Sequence, residues 1–479
     1  MWEDPAELID KLLERDPLPK SLELHASLFR LCRHHLATLY NHLREPEWVE
    51  YACEIELKAR QILDSSGNEQ IRGLGELLQH PAEENLLVRA AAVLQALDAY
   101  HGERRGPINH AIVSLSLPQL ECQTAFLWPP ANPIAEHVPE DLRLNVGEAD
   151  LSRDLRGFLG LKWQLVTLET HANQPCFHEL EARVGEDLAD RLASRGDLSV
   201  GLASPFAELG YQIQGDPARR HDKRGVPYHF VRLEPSHLPK AREALDQILQ
   251  NCSERQIDIL CFPELTLDTD LLRHLQTKLA TQNTTRHPAL VLSGSFHLSQ
   301  TDGWVNRSAL LDSQGRILRE QDKCVAFPLK PKEAAAMDDA FRDLLGIDEG
   351  GGYEDIDVSA ELNVIDSPIG RLSTPICLDF CGSELRELLV ACQVNLLLVP
   401  AMTPGMGRFP RRAREFGDRN RATTFAVNSS WLMRQLDKEL ADENLFVAYV
   451  PTKSKAVQPP ERTSDDLRTY SIRVLLGGQ

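Results

Sequence analysis

The chain has 479 residues, more than one typical domain needs and enough for two or three. Apolar residues make up 42% and charged residues 26%, a balance that supplies a sizeable core for a soluble globular protein. The formal net charge of −19, from 52 basic and 71 acidic side chains, argues against a broad nucleic-acid or membrane-binding surface.

The opening stretch "MWEDPAELIDKLLERD" is charged and helical in pattern, without the basic and apolar regions of a signal peptide. Residues 1–110 read as a helical region. Leu28, Leu31, Cys32, His35, Leu36, Leu39, Tyr40 and Leu43 recur at three- and four-residue spacings, one face of an amphipathic helix. "PAEENLLVRAAAVLQALDAY" carries a second stripe, Leu86, Ala90, Val93, Leu94 and Leu97, with Pro81 in a start position. No fixed period makes these helices a repeat array. His34 and His35 have no partner motif and read as a solvated or partly buried helix face.

From residue 111 the texture changes. "AIVSLSLPQLECQTAFLW" and "LKWQLVTLET" have strand character and flank the Pro-rich "WPPANPIAEHVPED". The charged helix "HELEARVGEDLADRLASR" then runs up to a Gly-Asp break at 196–197, which places the main boundary near 195. The expected division is a helical region at 1–110, a mixed α/β connecting region at 111–195 and a further domain at 196–479.

Beyond that boundary strands and helices alternate. "LSVGLASP" and "YHFVRLE" are strand-like, "LPKAREALDQILQNC" is a helix, and "IDILCFPEL" is a buried strand. "TDLLRHLQTKLATQ" is helical, "PALVLSGSF" is a strand, and "WVNRSALLDSQGRILRE" reads as a hairpin turning at Asp312–Gly315. The acidic, Gly-rich segment 331–360 reads as a long mobile insertion. "RLSTPICLDF", "SELRELLVACQ", "VNLLLVPA" and "TTFAVNSSW" continue the alternation, which implies an α/β domain with helices covering sheet. The longest apolar run, "LLVACQVNLLLVPAM", is interrupted by Gln393 and Asn395 and is too short to span a membrane. Ten cysteines without a dense framework fit a reducing cytoplasm.

Catalytic groups of α/β domains gather where strands end. Glu264 ends "IDILCFPE", Lys323 follows the hairpin in "LREQDKCVAF", and Cys377 ends "GRLSTPIC". A carboxylate can take a thiol proton, an ammonium can hold an oxyanion, and a thiolate can attack. Taken singly, Cys377 reads as a small buried apolar residue, Glu264 as a strand-end cap and Lys323 as a surface charge. Only their company favours chemistry. Cys381 reads as packing, since its spacing from Cys377 is not that of a metal clip. Trp304 and Asn306 read first as strand packing, with a pocket-lining place as the alternative for Trp304.

"CFPEL", "WVNRSALLDSQGRILREQDKCVAF", "SPIGRLSTPICLDF" and "LLLVPA" resemble, in order, the signature blocks of the nitrilase superfamily of carbon–nitrogen hydrolases. The resemblance covers about residues 198–435 and includes "GSF" at 294–296 and "RNRATTFAVNSS" at 419–430. It implies an αββα sandwich behind the mainly helical N-terminal region, commonly dimeric, and a reaction without metal or organic cofactor. By resemblance Cys377 is the nucleophile that forms a thioester, Glu264 the general base, and Lys323 with the backbone N–H of Leu378 the oxyanion support. A second glutamate that positions the substrate is assigned to Glu333 by its distance from Lys323, with Glu349 and Glu354 as competitors. Lys323 and a helix N-terminus are expected to lower the thiol pKa. "CLD" at 377–379 is similar to the amidase and carbamoylase branches rather than the nitrile-cleaving one, and Asp379 is expected to orient its loop through backbone N–H groups.

The implied function is hydrolysis of a small amide or carbamoyl-type substrate. The competing reading is a nitrilase-like regulatory or effector module that binds a metabolite while the N-terminal region engages a protein partner, for instance in a bacterial defence complex. The basic run Arg411–Arg421 reads first as a solvated helix paired with acidic neighbours, second as an anion subsite, and third as a nucleic-acid contact.

Overall fold

A computed structural model describes residues 9, 21–64, 68–79, 86–103, 111–115, 123–128, 159, 164–168, 173–281, 288–337, 339–392, 394–420, 422–450, 461–462 and 467–472. The chain divides into two compact units: one of residues 1–130 and 138–170, the other of residues 131–137 and 171–479. Among the described residues no helix is long and apolar enough to cross a membrane.

The first unit holds helices α1 (Ser21–His34), α2 (Leu36–His42), α3 (Pro46–Leu63), α4 (Asn68–Leu78) and α5 (Leu86–Glu103). The stripes read in the sequence are its core. Leu28, Leu31, Cys32 and Leu39 are buried with Ala90, Val93, Leu94 and Leu97, and α3 adds Ala52, Ile55, Ala59 and Leu63 at helical spacing. The alanines of α5 leave room for neighbouring backbones to come close. His34 and His35 meet edge to face at 4.7 Å. Strands β1 (Ala111–Leu115), β2 (Gln123–Trp128) and β3 (Gln164–Leu168) form an antiparallel sheet in that order. The Pro-rich stretch between β2 and β3 lies outside the described residues.

The boundary falls near 170 rather than 195. Strand β4 (Gln174–Glu179) pairs in parallel with a strand at Glu361–Ser367. Helix α6 (Ala182–Arg195) buries Val184, Leu188 and Leu192 in the core of the second unit. Its Arg191 and Arg195 both pair with the buried carboxylate of Asp258. Residues 171–195 therefore belong to the second unit, held by sheet pairing and a buried charge rather than by the break at Gly196.

The rest of the second unit runs β5 (Leu198–Ala203), β6 (Tyr211–Gly215), β7 (Val226–Leu233), α7 (Leu238–Glu254), β8 (Ile259–Cys261), α8 (Thr269–Thr281), β9 (Leu290–Ser299), β10 (Trp304–Asp312), β11 (Ile317–Asp322) and β12 (Pro328–Leu329). It continues through α9 (Pro331–Ala335), α10 (Asp339–Leu345), β13 (Gly352–Glu354), β14 (Glu361–Ser367), β15 (Gly370–Ser373), α11 (Leu378–Cys381) and α12 (Ser383–Ala391). It closes with β16 (Leu396–Ala401), α13 (Phe409–Asn420), β17 (Thr423–Asn428), α14 (Ser430–Gln435), α15 (Asp442–Leu445), β18 (Phe446–Tyr449), β19 (Glu461–Arg462) and β20 (Leu467–Ile472).

Two large sheets result: a seven-stranded one ordered β11-β10-β9-β8-β5-β20-β19 and a six-stranded one ordered β18-β17-β16-β15-β14-β4. One buried cluster joins them, with Val200, Ile259 and Val291 from the first and Leu372, Leu398 and Phe425 from the second. Helices cover the sheets, which is the α/β layering expected from the sequence. The hairpin turns as read: Gly315 N donates to Asp312 O at 3.0 Å, and Gly315 takes φ 73°, a conformation that favours glycine.

Segment 331–360 is not a loose insertion. It forms α9, α10 and β13, and β13 joins a small third sheet ordered β12-β13-β7-β6. Met337, Phe341, Leu345 and Ile347 anchor it in the core. Gly351 permits the approach: at φ 85° it lies so close to Leu329 that any Cβ would collide with the Leu329 carbonyl oxygen.

Candidate active site

Three strand ends converge. Glu264 stands three residues beyond β8, where the loop is kept tight by Gly294 of β9. A side chain at Gly294, which has φ 72°, would strike the Pro263 carbonyl oxygen. Lys323 directly follows β11, and its N–H donates to Asn306 O at 2.8 Å. Cys377 lies in the turn from β15 to α11 and adopts φ 50°, ψ −100°. That strained conformation is held by Cys377 N donating to Pro400 O at 2.8 Å.

The Lys323 ammonium donates to Glu264 Oε1 at 2.7 Å and to Glu354 Oε2 at 2.6 Å, and all three side chains are buried. Asn306 Nδ2 bridges the same carboxylates, 2.9 Å from Glu264 Oε1 and 2.7 Å from Glu354 Oε1. Met402 N donates to Glu264 Oε2 at 2.9 Å. Glu354 also accepts from His297 Nε2 at 2.8 Å and Phe327 N at 3.0 Å. Because the Phe230 N–H donates to His297 Nδ1 at 2.7 Å, the ring proton sits on Nε2 and faces Glu354. Among the described residues every hydrogen-bond partner of the Glu354 carboxylate is thus a donor.

The two carboxylates are driven apart in proton affinity. Burial would raise Glu354, but the Lys323 ammonium and His297 hold it well below the usual carboxylate range. Burial raises Glu264, with the Glu354 charge adding to it and Lys323 opposing. Burial would also lower Lys323, yet Glu264 and Glu354 keep it firmly protonated. Glu264 is therefore the carboxylate suited to accept a proton. The thiol behaves differently from the sequence expectation. Burial and the nearby Glu264 charge push the Cys377 pKa well above normal, and Lys323, offset by two carboxylates, only partly counters them. Cys377 therefore rests as a thiol, with Glu264 the neighbouring carboxylate able to take its proton.

Glu333 is not the second glutamate. It is exposed, and its carboxylate accepts from Lys330 N at 3.0 Å, capping its own helix α9. Glu349 is exposed as well. Glu354 holds the buried place beside Lys323, since β13 delivers it through the parallel pair Glu354↔Tyr228. Asn306 and His297, which the sequence reading left as packing or did not single out, face each other in register across β10 and β9. Asp379 holds its loop as expected: it accepts from Val325 N at 2.8 Å, Ile376 N at 3.1 Å and Cys324 N at 3.1 Å. Burial pushes its carboxyl up to about 7 against those donors. The basic helix α13 is paired, with Arg419 in a two-point bond to Glu387 at 2.9 Å and Arg412 and Arg386 both on Glu415.

Two cavities adjoin these groups. An inner chamber is lined by Glu264, Lys323 and Glu354 together with aromatic and aliphatic side chains, most of them buried. A larger outer groove is lined by Cys377, Leu378, Cys381, Glu333 and Arg408. Phe327, Met337 and Pro404 border both.

No family model matches the chain, and no curated protein matches it. Among solved structures it is similar to Nit3 of Saccharomyces cerevisiae, a member of branch 10 of the nitrilase superfamily, at 12% identity and TM-score 0.37, over 57% of this chain and 89% of that one. It is similar to an amidase of Nesterenkonia sp. AN1 in complex with butyramide, at 15% identity and TM-score 0.35, over 58% and 92%. XC1258 of Xanthomonas campestris, a CN-hydrolase superfamily protein with an arsenic adduct in its active site, matches at 16% identity and TM-score 0.35, over 58% and 90%. Nit3 and the Nesterenkonia amidase belong to the nitrilase superfamily, the family whose signature blocks the sequence resembles.

Proposed function

We propose that the second unit is a carbon–nitrogen hydrolase that cleaves an amide or carbamoyl-type substrate through a thioester on Cys377. Glu264 takes the thiol proton as sulfur attacks the carbonyl carbon. Lys323 and the Leu378 N–H hold the resulting oxyanion. Glu264 returns the proton to the leaving nitrogen, and ammonia or an amine departs. Glu264 then deprotonates a water that cleaves the thioester, releasing the acid and restoring the thiol. Glu354 and Asn306 act as positioning residues that fix Lys323 and Glu264.

The observation that supports this reading most is the buried Lys323 ammonium shared by Glu264 and Glu354 beside a cysteine with positive φ. The test is an amide panel with ammonia release as the readout, and mass spectrometry of quenched protein for an acyl adduct on Cys377. Turnover that disappears in Cys377→Ala and Glu264→Gln, with an acyl adduct in the parent protein, is the expected result. Turnover that persists in Cys377→Ala would remove the thioester from the mechanism. A folded protein with neither turnover nor adduct would favour the regulatory reading.

A further inference from the structure

We infer that the inner chamber is an acyl pocket, and that the substrate is the amide of an apolar, uncharged carboxylic acid rather than a glutamine-like amide. This rests on the hydrolase reading above. Apart from Glu264, Lys323 and Glu354 the chamber wall is apolar except for the Tyr228 hydroxyl, with Phe230, Phe327, Met337, Phe341 and Leu345 prominent. The three charged groups already bond to one another, so an α-ammonium or α-carboxylate entering the chamber would be desolvated without a partner of its own.

The chemistry decides which end of the substrate lies inside. After the first step the amine must leave and water must enter, while the acyl chain stays bonded to sulfur. The larger outer groove, which contains Cys377 and Leu378, suits the departing nitrogen and the arriving water. The smaller chamber suits the part that remains. Met337 and Phe341, from the segment that forms α9 and α10, supply part of its wall. Phe341 is itself held by an edge contact with Trp431 at 6.0 Å.

The experiment has two arms. In the first, kcat/KM is measured for propanamide, pentanamide, heptanamide, glutamine and N-butylacetamide. The expected result is a rise of roughly fourfold per methylene while the chain still fits, and roughly 100-fold or more discrimination against glutamine. Phe341→Ala, or Phe341→Leu if the first does not fold, is expected to raise the heptanamide-to-propanamide ratio roughly tenfold. In the second arm, binding of the same amides to Cys377→Ala protein is measured by calorimetry. Preference for glutamine or N-butylacetamide in turnover would overturn the acyl pocket while leaving the hydrolase intact. If nothing is turned over, the hydrolase reading fails, and the binding arm alone decides: heptanamide tighter than glutamine supports the pocket, and equal or reversed affinity sinks it.

Discussion

Replacing Glu354 with glutamine tests the buried cluster at its least forgiving point. Its two oxygens accept from Lys323 Nζ, Phe327 N, His297 Nε2 and Asn306 Nδ2. A glutamine offers one carbonyl oxygen and one NH2, so either orientation turns donors against donors on one side. The Lys323 charge is also left with a single carboxylate. Breaking a buried ion pair in this way costs about 3–5 kcal/mol. Spread over the unfolding entropy of a unit of this size, that lowers the melting midpoint by about 5–8 °C. Activity should respond in a diagnostic direction. The Glu354 charge adds to what burial does to Glu264, so its loss lowers the Glu264 pKa and moves the acidic limb of kcat/KM to lower pH. Glu333→Gln, at an exposed helix cap, should lose no more than about 1 kcal/mol and keep its pH profile. Scanning calorimetry and pH–rate profiles of both variants are sufficient. A Glu354→Gln protein that melts with the parent and keeps the parent's acidic limb would refute the cluster as described.

Gly351→Ala should destabilise by about 1–3 kcal/mol and depress turnover, because the new Cβ forces β13 away from Leu329; Gly405→Ala, with open space around it, should unfold in urea like the parent. Burial, with His297 adding to it, lowers the His229 pKa from 6.5 to about 4, while Asp355 opposes. The folded protein therefore keeps this ring neutral while the unfolded chain protonates it, and stability should fall as pH drops from 6.5 towards 4. His229→Gln should flatten that part of the urea-midpoint profile, and an unchanged slope would assign the loss to other groups. Arg419→Gln breaks an exposed pair with Glu387 and should cost less than about 1 kcal/mol without changing kcat/KM; a rise in KM would instead mark α13 as an anion subsite.

Glu264 and Cys377 were legible because each lies just past a strand with a plain apolar run, Lys323 because it follows a recognisable hairpin, and all three because a carboxylate, an amine and a thiol make chemical sense together. Glu354 was harder to find. The acidic, glycine-rich composition of 331–360 masks a helical stripe of Met337, Phe341 and Leu345, and β13 is three residues long, too short to show an alternation. The sequence distance from Lys323 favoured Glu333, whereas parallel pairing with β7 carries Glu354 into place. Asn306 and His297 show what a single strand cannot reveal. Their roles come from register across β9 and β10, a tertiary fact with no local signature. The break at Gly196 is a true helix end, with the glycine at φ 79°. It is not a domain edge, because α6 is tied to Asp258 more than sixty residues further on, beyond the reach of local reading.

The segment between Lys323 and Cys377 does two jobs with one piece of chain: Met337 and helix α10 wall part of the inner chamber and β13 carries Glu354. Resizing that wall by insertion, deletion or repacking shifts a charged member of the buried Glu264–Lys323–Glu354 cluster by the same stroke. Variants bred for a different substrate should therefore arrive with altered pH dependence, and recovering speed should require second changes near β13 rather than around the thiol.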